Sequence, residues 1–128
     1  MRYEIDGPLR RITHCHCSMC RKFHGAGVGT YATLRRARLR VVAGEEALTV
    51  FASSDHATRS FCSRCGASLF FEDRDEPESV DVAIGTLDDE PDAMPWAHIF
   101  VADKAGWVDI RDELPRFEAS PPSEPSTS

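Results

Sequence analysis

Three thiols within six residues, in the run His14-Cys15-His16-Cys17-Ser18-Met19-Cys20, stand close enough in sequence to converge on one metal ion. A second group, Phe61-Cys62-Ser63-Arg64-Cys65-Gly66, has the C-x-x-C-G pattern of a metal knuckle. Its glycine lets the backbone fold back so that amides point at the sulfurs. The two groups hold all five cysteines of the chain. Soft thiolates select zinc, copper(I) or iron–sulfur over hard cations, and of these Zn2+ alone needs no redox partner. The number of thiols in the first group then carries weight. A closed structural zinc site takes four protein ligands, whereas three thiolates leave one position for water or a substrate sulfur.

The spacing also admits other arrangements. Cys17 and Cys20 could join Cys62 and Cys65 in a four-thiolate ribbon, leaving Cys15 spare, although the separation exceeds the usual ribbon loop. Disulfides would suit an exported chain, but the N-terminal residues Met1 to Asp6 are polar and charged and carry no export signal, and separately buried core thiols do not usually cluster this tightly. A thiol sensor built on Cys17 and Cys20 lacks the strand and long helix of redoxin folds.

Positioning these thiols falls to a mainly β chain. Short runs rich in Val, Ile, Phe and Tyr predict strands at residues 2–5, 11–15, 28–33, 39–42, 48–52, 68–72, 80–85 and 98–101. Helical turns are predicted at 18–23 and 103–106. If 14–17 is extended, Cys15 and Cys17 share one face and His14 and His16 the other, so these histidines do not join the same ion. Cys20 returns to the cysteine face through the turn at Ser18-Met19. His24 and His98 are placed to orient a substrate or simply to pack, and His56 sits in a loop. The glycines from Gly25 to Gly29 lack the spacing and strand-turn-helix setting of a nucleotide loop; they predict close backbone approach beside the metal.

The chain has 128 residues and reads as one domain over 1–118, followed by a Ser/Pro/Glu tail over 119–128 with too little apolar surface to order itself. No apolar run approaches membrane length, so the expected location is the cytoplasm. The net charge of -6 hides an asymmetry: residues 1–44 carry nine Lys/Arg and two Asp/Glu, the remainder six and nineteen. Arg10, Arg11, Arg21, Lys22, Arg35, Arg36, Arg38 and Arg40 could hold an anionic substrate, offset an anionic zinc trithiolate, or line a solvated strand edge. The acidic total counts against nonspecific nucleic-acid binding.

Five stretches carry a resemblance: Arg2-Tyr3-Glu4-Ile5-Asp6-Gly7, HCHCSMCRKFHGAG from His14, SFCSRCGASLFF from Ser60, Gly85-Thr86-Leu87-Asp88, and PWAHIFVADKAGW from Pro95. Together they span Arg2 to about Phe117. On them the chain resembles the glutathione-dependent formaldehyde-activating enzymes, a family that includes centromere protein V. The resemblance implies a β-tent fold of antiparallel strands around zinc. It implies that Cys15, Cys17 and Cys20 hold an open, active zinc, and that Cys62 and Cys65 supply half of a closed structural site. The family's other half is a C-x-C pair just upstream of the Arg2-Tyr3-Glu4 stretch, which this sequence does not contain. Our expectation is therefore that the sequence begins inside the family unit, with Met1 where relatives carry a small apolar residue such as valine. The implied chemistry is that of a carbon–sulfur lyase: a small-molecule thiol, glutathione or similar, adds to or leaves a small aldehyde such as formaldehyde. The alternative is a non-catalytic zinc module contacting protein or nucleic acid.

Overall fold

The computed structural model describes residues 1–121. It is mainly β, with two antiparallel-dominated sheets and a short helix, as the sequence predicts. The strands are β1 (Arg2–Ile5), β2 (Arg11–Cys15), β3 (Gly29–Arg35), β4 (Leu39–Ala43), β5 (Leu48–Ala52), β6 (Ala57–Cys62), β7 (Ser68–Asp73), β8 (Ser79–Ala83) and β9 (Ala97–Ile99). The helix α1 covers Ser18–His24. The order in the larger sheet is β5-β6-β7-β8-β3-β2-β9, and β1 pairs with β4 in a separate ribbon. All neighbours are antiparallel except β2 and β9. No helix among the described residues is long and apolar enough to cross a membrane.

Alternation along the strands divides the large sheet into two faces with different work. Ile12, Ala32, Leu34, Phe70, Val80 and Val82 form a dry core on one face, joined by Cys62. The β1–β4 ribbon covers it with Tyr3, Ile5, Leu39 and Val41. The Tyr3 ring meets Phe70 edge-on at 5.3 Å, while its hydroxyl pairs with Thr86 Oγ1 at 2.6 Å. The opposite face presents Cys15, Tyr31 and Ala83 with Cys20 from α1. Across it runs a cross-strand row, Phe51-Arg59-Phe71-Asp81-Thr33-Arg11, each residue directly opposite the next.

Four local expectations need correction. β6 was not predicted, because Thr58, Arg59 and Ser60 interrupt the apolar pattern, yet all but Thr58 and Phe61 in that strand are buried. The run 80–85 leaves the sheet after Ala83 for a single 3-10 turn at Ile84–Thr86. The last strand ends at Ile99 rather than Val101, because Phe100 adopts a left-handed backbone (φ 54, ψ 39) that turns the chain. The following turn is Val101–Asp103, upstream of the helical turn expected at 103–106. Of the predicted tail, 122–128 lie outside the described residues; before them, the Phe100 N–H donates to Ala119 O at 3.1 Å.

Two stability predictions follow from the two faces. Phe70 is 2% exposed at the centre of the dry core, so Phe70→Ala should cost about 3–5 kcal/mol in urea unfolding at fixed zinc; a cost under ~1 kcal/mol would deny it that place. On the other face, desolvation raises the Asp81 carboxyl from 3.8 to about 6 despite the Thr33 hydroxyl donating to it at 2.6 Å. An acid raised in the fold ionises more easily when unfolded, so stability should fall as pH rises from about 4 to about 6 and then level off. Asp81→Asn should remove that slope and gain on the order of 2 kcal/mol at pH 7 relative to pH 4. Denaturation midpoints across that range check the sign.

Candidate metal centre

The first cysteine cluster occupies a corner where a strand becomes a helix. Cys15 is the last residue of β2, and the next amide, His16 N–H, donates to Ile99 O at 3.0 Å, which fixes the chain as it leaves the sheet. Cys17 remains extended (φ −62, ψ 151) and caps α1, its sulfur accepting the Cys20 N–H at 3.3 Å. A cap normally uses oxygen; here a thiol fills the role, which holds Cys17 and Cys20 on one side of the first turn. Gly25 ends the helix in the left-handed conformation (φ 60). Gly29, paired opposite Cys15, has no room for a side chain: a Cβ would stand 2.7 Å from His24 Cδ2 and 2.8 Å from Tyr31 Cε2. This is the close backbone approach expected of the glycine stretch.

The sulfurs of Cys15, Cys17 and Cys20 all lie within 4.8 Å of one another. Three thiolates sharing one tetrahedral zinc at about 2.3 Å stand roughly 4 Å apart, so the donor set fits the ion. Among the described residues this is the one group of three or more His, Cys, Asp or Glu ligand atoms. Cys62 and Cys65 are not part of it, so the four-thiolate ribbon is not the arrangement this fold makes. Without metal the cluster gathers negative charge on Cys17: hydrogen bonds from the Cys15 and Cys20 thiols hold its thiol far below the usual range. Donation to Cys17 pushes Cys15 up. Cys20 is pulled down by Cys15 but rises on balance, through donation to Cys17 and burial.

The cation at this cluster is one the sequence did not single out. Arg59, 3% exposed, points Nη1 and Nη2 at Cys20 Sγ at 3.7 and 3.6 Å. Its guanidinium lies 4.8 Å from the Phe71 ring centroid and 5.3 Å from that of Phe23. Nη1 also donates to the Tyr31 hydroxyl at 3.4 Å, and that hydroxyl pairs with His24 Nε2 at 2.6 Å. Burial raises Tyr31, while burial and the Arg59 charge lower His24. The phenol therefore stays protonated and donates to a neutral imidazole.

Several basic residues of the N-terminal third are engaged by groups other than the sulfurs. Arg40 pairs with Glu4 and Asp6, Arg36 with Glu72, and Arg2 with Asp88. Arg38 donates to Asp6 O and Pro8 O, and Arg21 to His16 O and Asp103 O. Lys22 instead lines a cavity of about 560 Å³ between α1 and β5–β6, with Met19, Phe23, Phe51, Arg59 and Phe61. None of the cysteines lines this cavity, which meets the cluster only through Arg59, and none lines a larger cavity of about 730 Å³ between β1 and residues 86–92.

The histidines on the other side of β2 form a network of their own. His16 is fully buried, its Nε2 2.8 Å from His98 Nδ1, and His98 Nε2 bonds the Asp112 carboxylate at 2.9 Å. His14 stacks on His98 at 4.9 Å and bonds Thr30 Oγ1 at 2.8 Å. Burial, followed by the neighbouring His98, drives His16 down to about 4, so it remains neutral. His14 and His16 thus turn away from the sulfurs, as strand alternation predicts, and His98 packs rather than facing a substrate. His56 is exposed beside Asp75 at 3.4 Å.

At the second cysteine group, Cys62 is buried at the end of β6 and Cys65 is exposed. Gly66 (φ 77) lets the chain fold back, its N–H donating to Cys62 O at 2.7 Å. Amides of Cys65 and Arg64 donate to the Cys62 sulfur and lower its thiol, the knuckle geometry expected from the C-x-x-C-G pattern. Met1 packs on the same core cluster. Sequence reasoning missed Arg59, Tyr31 and Asp112. Arg59 left no signal to find, since the polar run Thr58-Arg59-Ser60 hides the strand that buries it.

Residues 1–103 match the profile of a family described as glutathione-dependent formaldehyde-activating enzyme. A protein from Halomonas elongata described as "Putative glutathione-dependent formaldehyde-activating enzyme" is 34% identical over 120 residues, covering 88% of this chain and 76% of that protein. A Rhodobacter sphaeroides protein of known crystal structure superimposes with a TM-score of 0.58 at 30% identity, covering 70% of this chain and 82% of that one.

Cys15→Ser or Cys20→Ser should abolish zinc binding at the corner while leaving most of the β signal, since an open site adds less folding energy than a closed one. Zinc stoichiometry beside far-ultraviolet circular dichroism checks this. Unchanged zinc content in Cys15→Ser would remove the sulfur from the site.

Proposed function

Because the chain belongs to the glutathione-dependent formaldehyde-activating enzyme family, we propose that it is a zinc-dependent carbon–sulfur lyase that adds a glutathione-like thiol to formaldehyde or a similar small aldehyde, and catalyses the reverse. The observation that carries this reading is the convergence of three thiol sulfurs with no fourth protein ligand in the group among the described residues. Cys15, Cys17 and Cys20 would be the ligands and not nucleophiles, and Cys62 and Cys65 ligands of a separate structural ion. Zinc supplies Lewis acidity that lowers the pKa of an incoming thiol, so that a thiolate is present at neutral pH.

The remaining work belongs to the chain. In the forward direction a sulfur–carbon bond forms, the carbonyl π pair moves onto oxygen, and the proton lost by the thiol ends on that oxygen. The Tyr31–His24 pair can carry that proton, with the Tyr31 hydroxyl passing its own proton to His24 Nε2 as it takes up the one the thiol loses, and returning it to the product oxygen. The cavity bounded by Arg59, Lys22 and the rings of Phe23, Phe51 and Phe61 offers cationic and apolar walls for the body of an anionic thiol. The working unit is residues 1–118, and the compartment is the cytoplasm, where thiols stay reduced.

The test is formation of S-hydroxymethylglutathione above the spontaneous rate by zinc-loaded protein. The expected result is acceleration lost in Cys15→Ser and reduced at least tenfold in His24→Gln and Tyr31→Phe. Glutathione binding to the loaded protein should release about one proton near neutral pH, because the free thiol ionises near ~8.5. Absence of both acceleration and glutathione binding overturns the lyase reading.

A further inference from the structure

Arg59 carries a buried charge that meets no carboxylate. It is 3% exposed, and its hydrogen bonds go to the Cys20 sulfur and the Tyr31 phenol. Its Nε is buried without a partner. The rings of Phe23 and Phe71 flank the guanidinium, and in the cross-strand row Phe71 stands between Arg59 and Asp81. No Asp or Glu pairs with it among the described residues, and of the two groups it touches only the Cys20 sulfur can carry a negative charge beside a protonated phenol. A buried guanidinium without an anion is strongly destabilising. Its presence here therefore implies a standing negative charge on the sulfurs. Three thiolates and one dication sum to a single negative charge, which one fixed guanidinium cancels.

We propose that Arg59 is the built-in counter-charge of the three-thiolate metal site, a positioning residue that strengthens the site's hold on the ion and orients Cys20 through the two N–H groups aimed at its sulfur. The proposal rests on the metal reading of Cys15, Cys17 and Cys20. Zinc-bound, the corner is neutral as a unit, so the site can take an anionic fourth ligand without accumulating two uncompensated charges. The flanking rings keep the guanidinium in one orientation and exclude water from the contact, which makes each N–H more effective than it would be at the surface.

The test compares full-length protein with Arg59→Met, which keeps an unbranched apolar stem between the rings, and Arg59→Lys, which keeps the charge. Chelator competition should show the zinc dissociation constant of Arg59→Met raised about ten- to a hundredfold, with Arg59→Lys recovering part of the loss. In cobalt-substituted protein, the sulfur-to-metal charge-transfer band should shift in Arg59→Met and shift less in Arg59→Lys. The rise in melting temperature on adding zinc should shrink in Arg59→Met, because the net charge of the loaded site is no longer offset. A purely structural role lowers the metal-free and zinc-loaded melting temperatures equally and leaves the cobalt band unmoved, and overturns the proposal. So does a zinc affinity within twofold of the parent. If Arg59→Met does not fold, Arg59→Gln carries the same expectations and the same overturning results. Zinc binding that persists and depends on Cys15 but ignores Arg59 removes the counter-charge alone; no Cys15-dependent zinc in the parent protein removes the site and the proposal together.

Discussion

Concentrating three sulfurs at one corner of a small domain forces negative charge into a place that water barely reaches, and the surroundings of that corner answer to this constraint. Cys15 and Cys20 are buried, and the third, Cys17, is only half so. An amide caps the Cys17 sulfur, a guanidinium meets the Cys20 sulfur, and hydrogen bonds from the neighbouring thiols hold the Cys17 thiol below its usual range. Thiolates accept such donors weakly one at a time. Together they make an anionic cluster tolerable inside a fold of this size.

The sheet divides its labour by face. One face and the β1–β4 ribbon enclose an aliphatic and aromatic core with few polar demands. The other carries polar and aromatic residues in alternate order, from Phe51 through Arg59, Phe71, Asp81 and Thr33 to Arg11, and at its β2 end it turns into the thiol corner. Burying Asp81 and Arg59 costs stability that a purely apolar face would not incur. Sites of this kind are where a fold departs from its own packing rules, because the chemistry needs charge where packing would choose carbon.

Behind the corner, the histidines hold it in place. His16 follows Cys15 and precedes Cys17, so any movement of its ring moves two of the three thiols. Its bond to His98, and that of His98 to Asp112, tie β2 to β9 and to the segment that returns alongside at residues 115–117. Phe100, in its left-handed conformation, folds onto the same cluster of Cys15, Cys20, Tyr31 and Ala83. Strain of this kind persists only where neighbours over-determine the conformation. Residues far along the chain therefore brace a thiol corner formed by the first 20.

What the sequence determined by itself is local. The C-x-C-x-x-C spacing puts three thiols within reach of each other, because strand alternation aligns Cys15 with Cys17 and one helical turn returns Cys20. The same alternation sends His14 and His16 the opposite way, and the knuckle glycine Gly66 aims amides at Cys62. Strands such as Arg2–Ile5, Arg11–Cys15 and Leu48–Ala52 are legible to the residue, since their apolar periodicity needs no partner to be seen. Tertiary structure decided which charge meets the thiols. The many arginines of the first third suggested themselves by proximity in sequence, but β1, β4 and surface carboxylates engage several of them, and the cation at the sulfurs comes from Arg59, 39 residues beyond Cys20. Nothing local marks that pairing. It arises because β6 and β2 lie four strands apart in one sheet, and α1 folds back over the face between them. Sequence separation carries no information about such a contact, whereas sheet order and burial fix it.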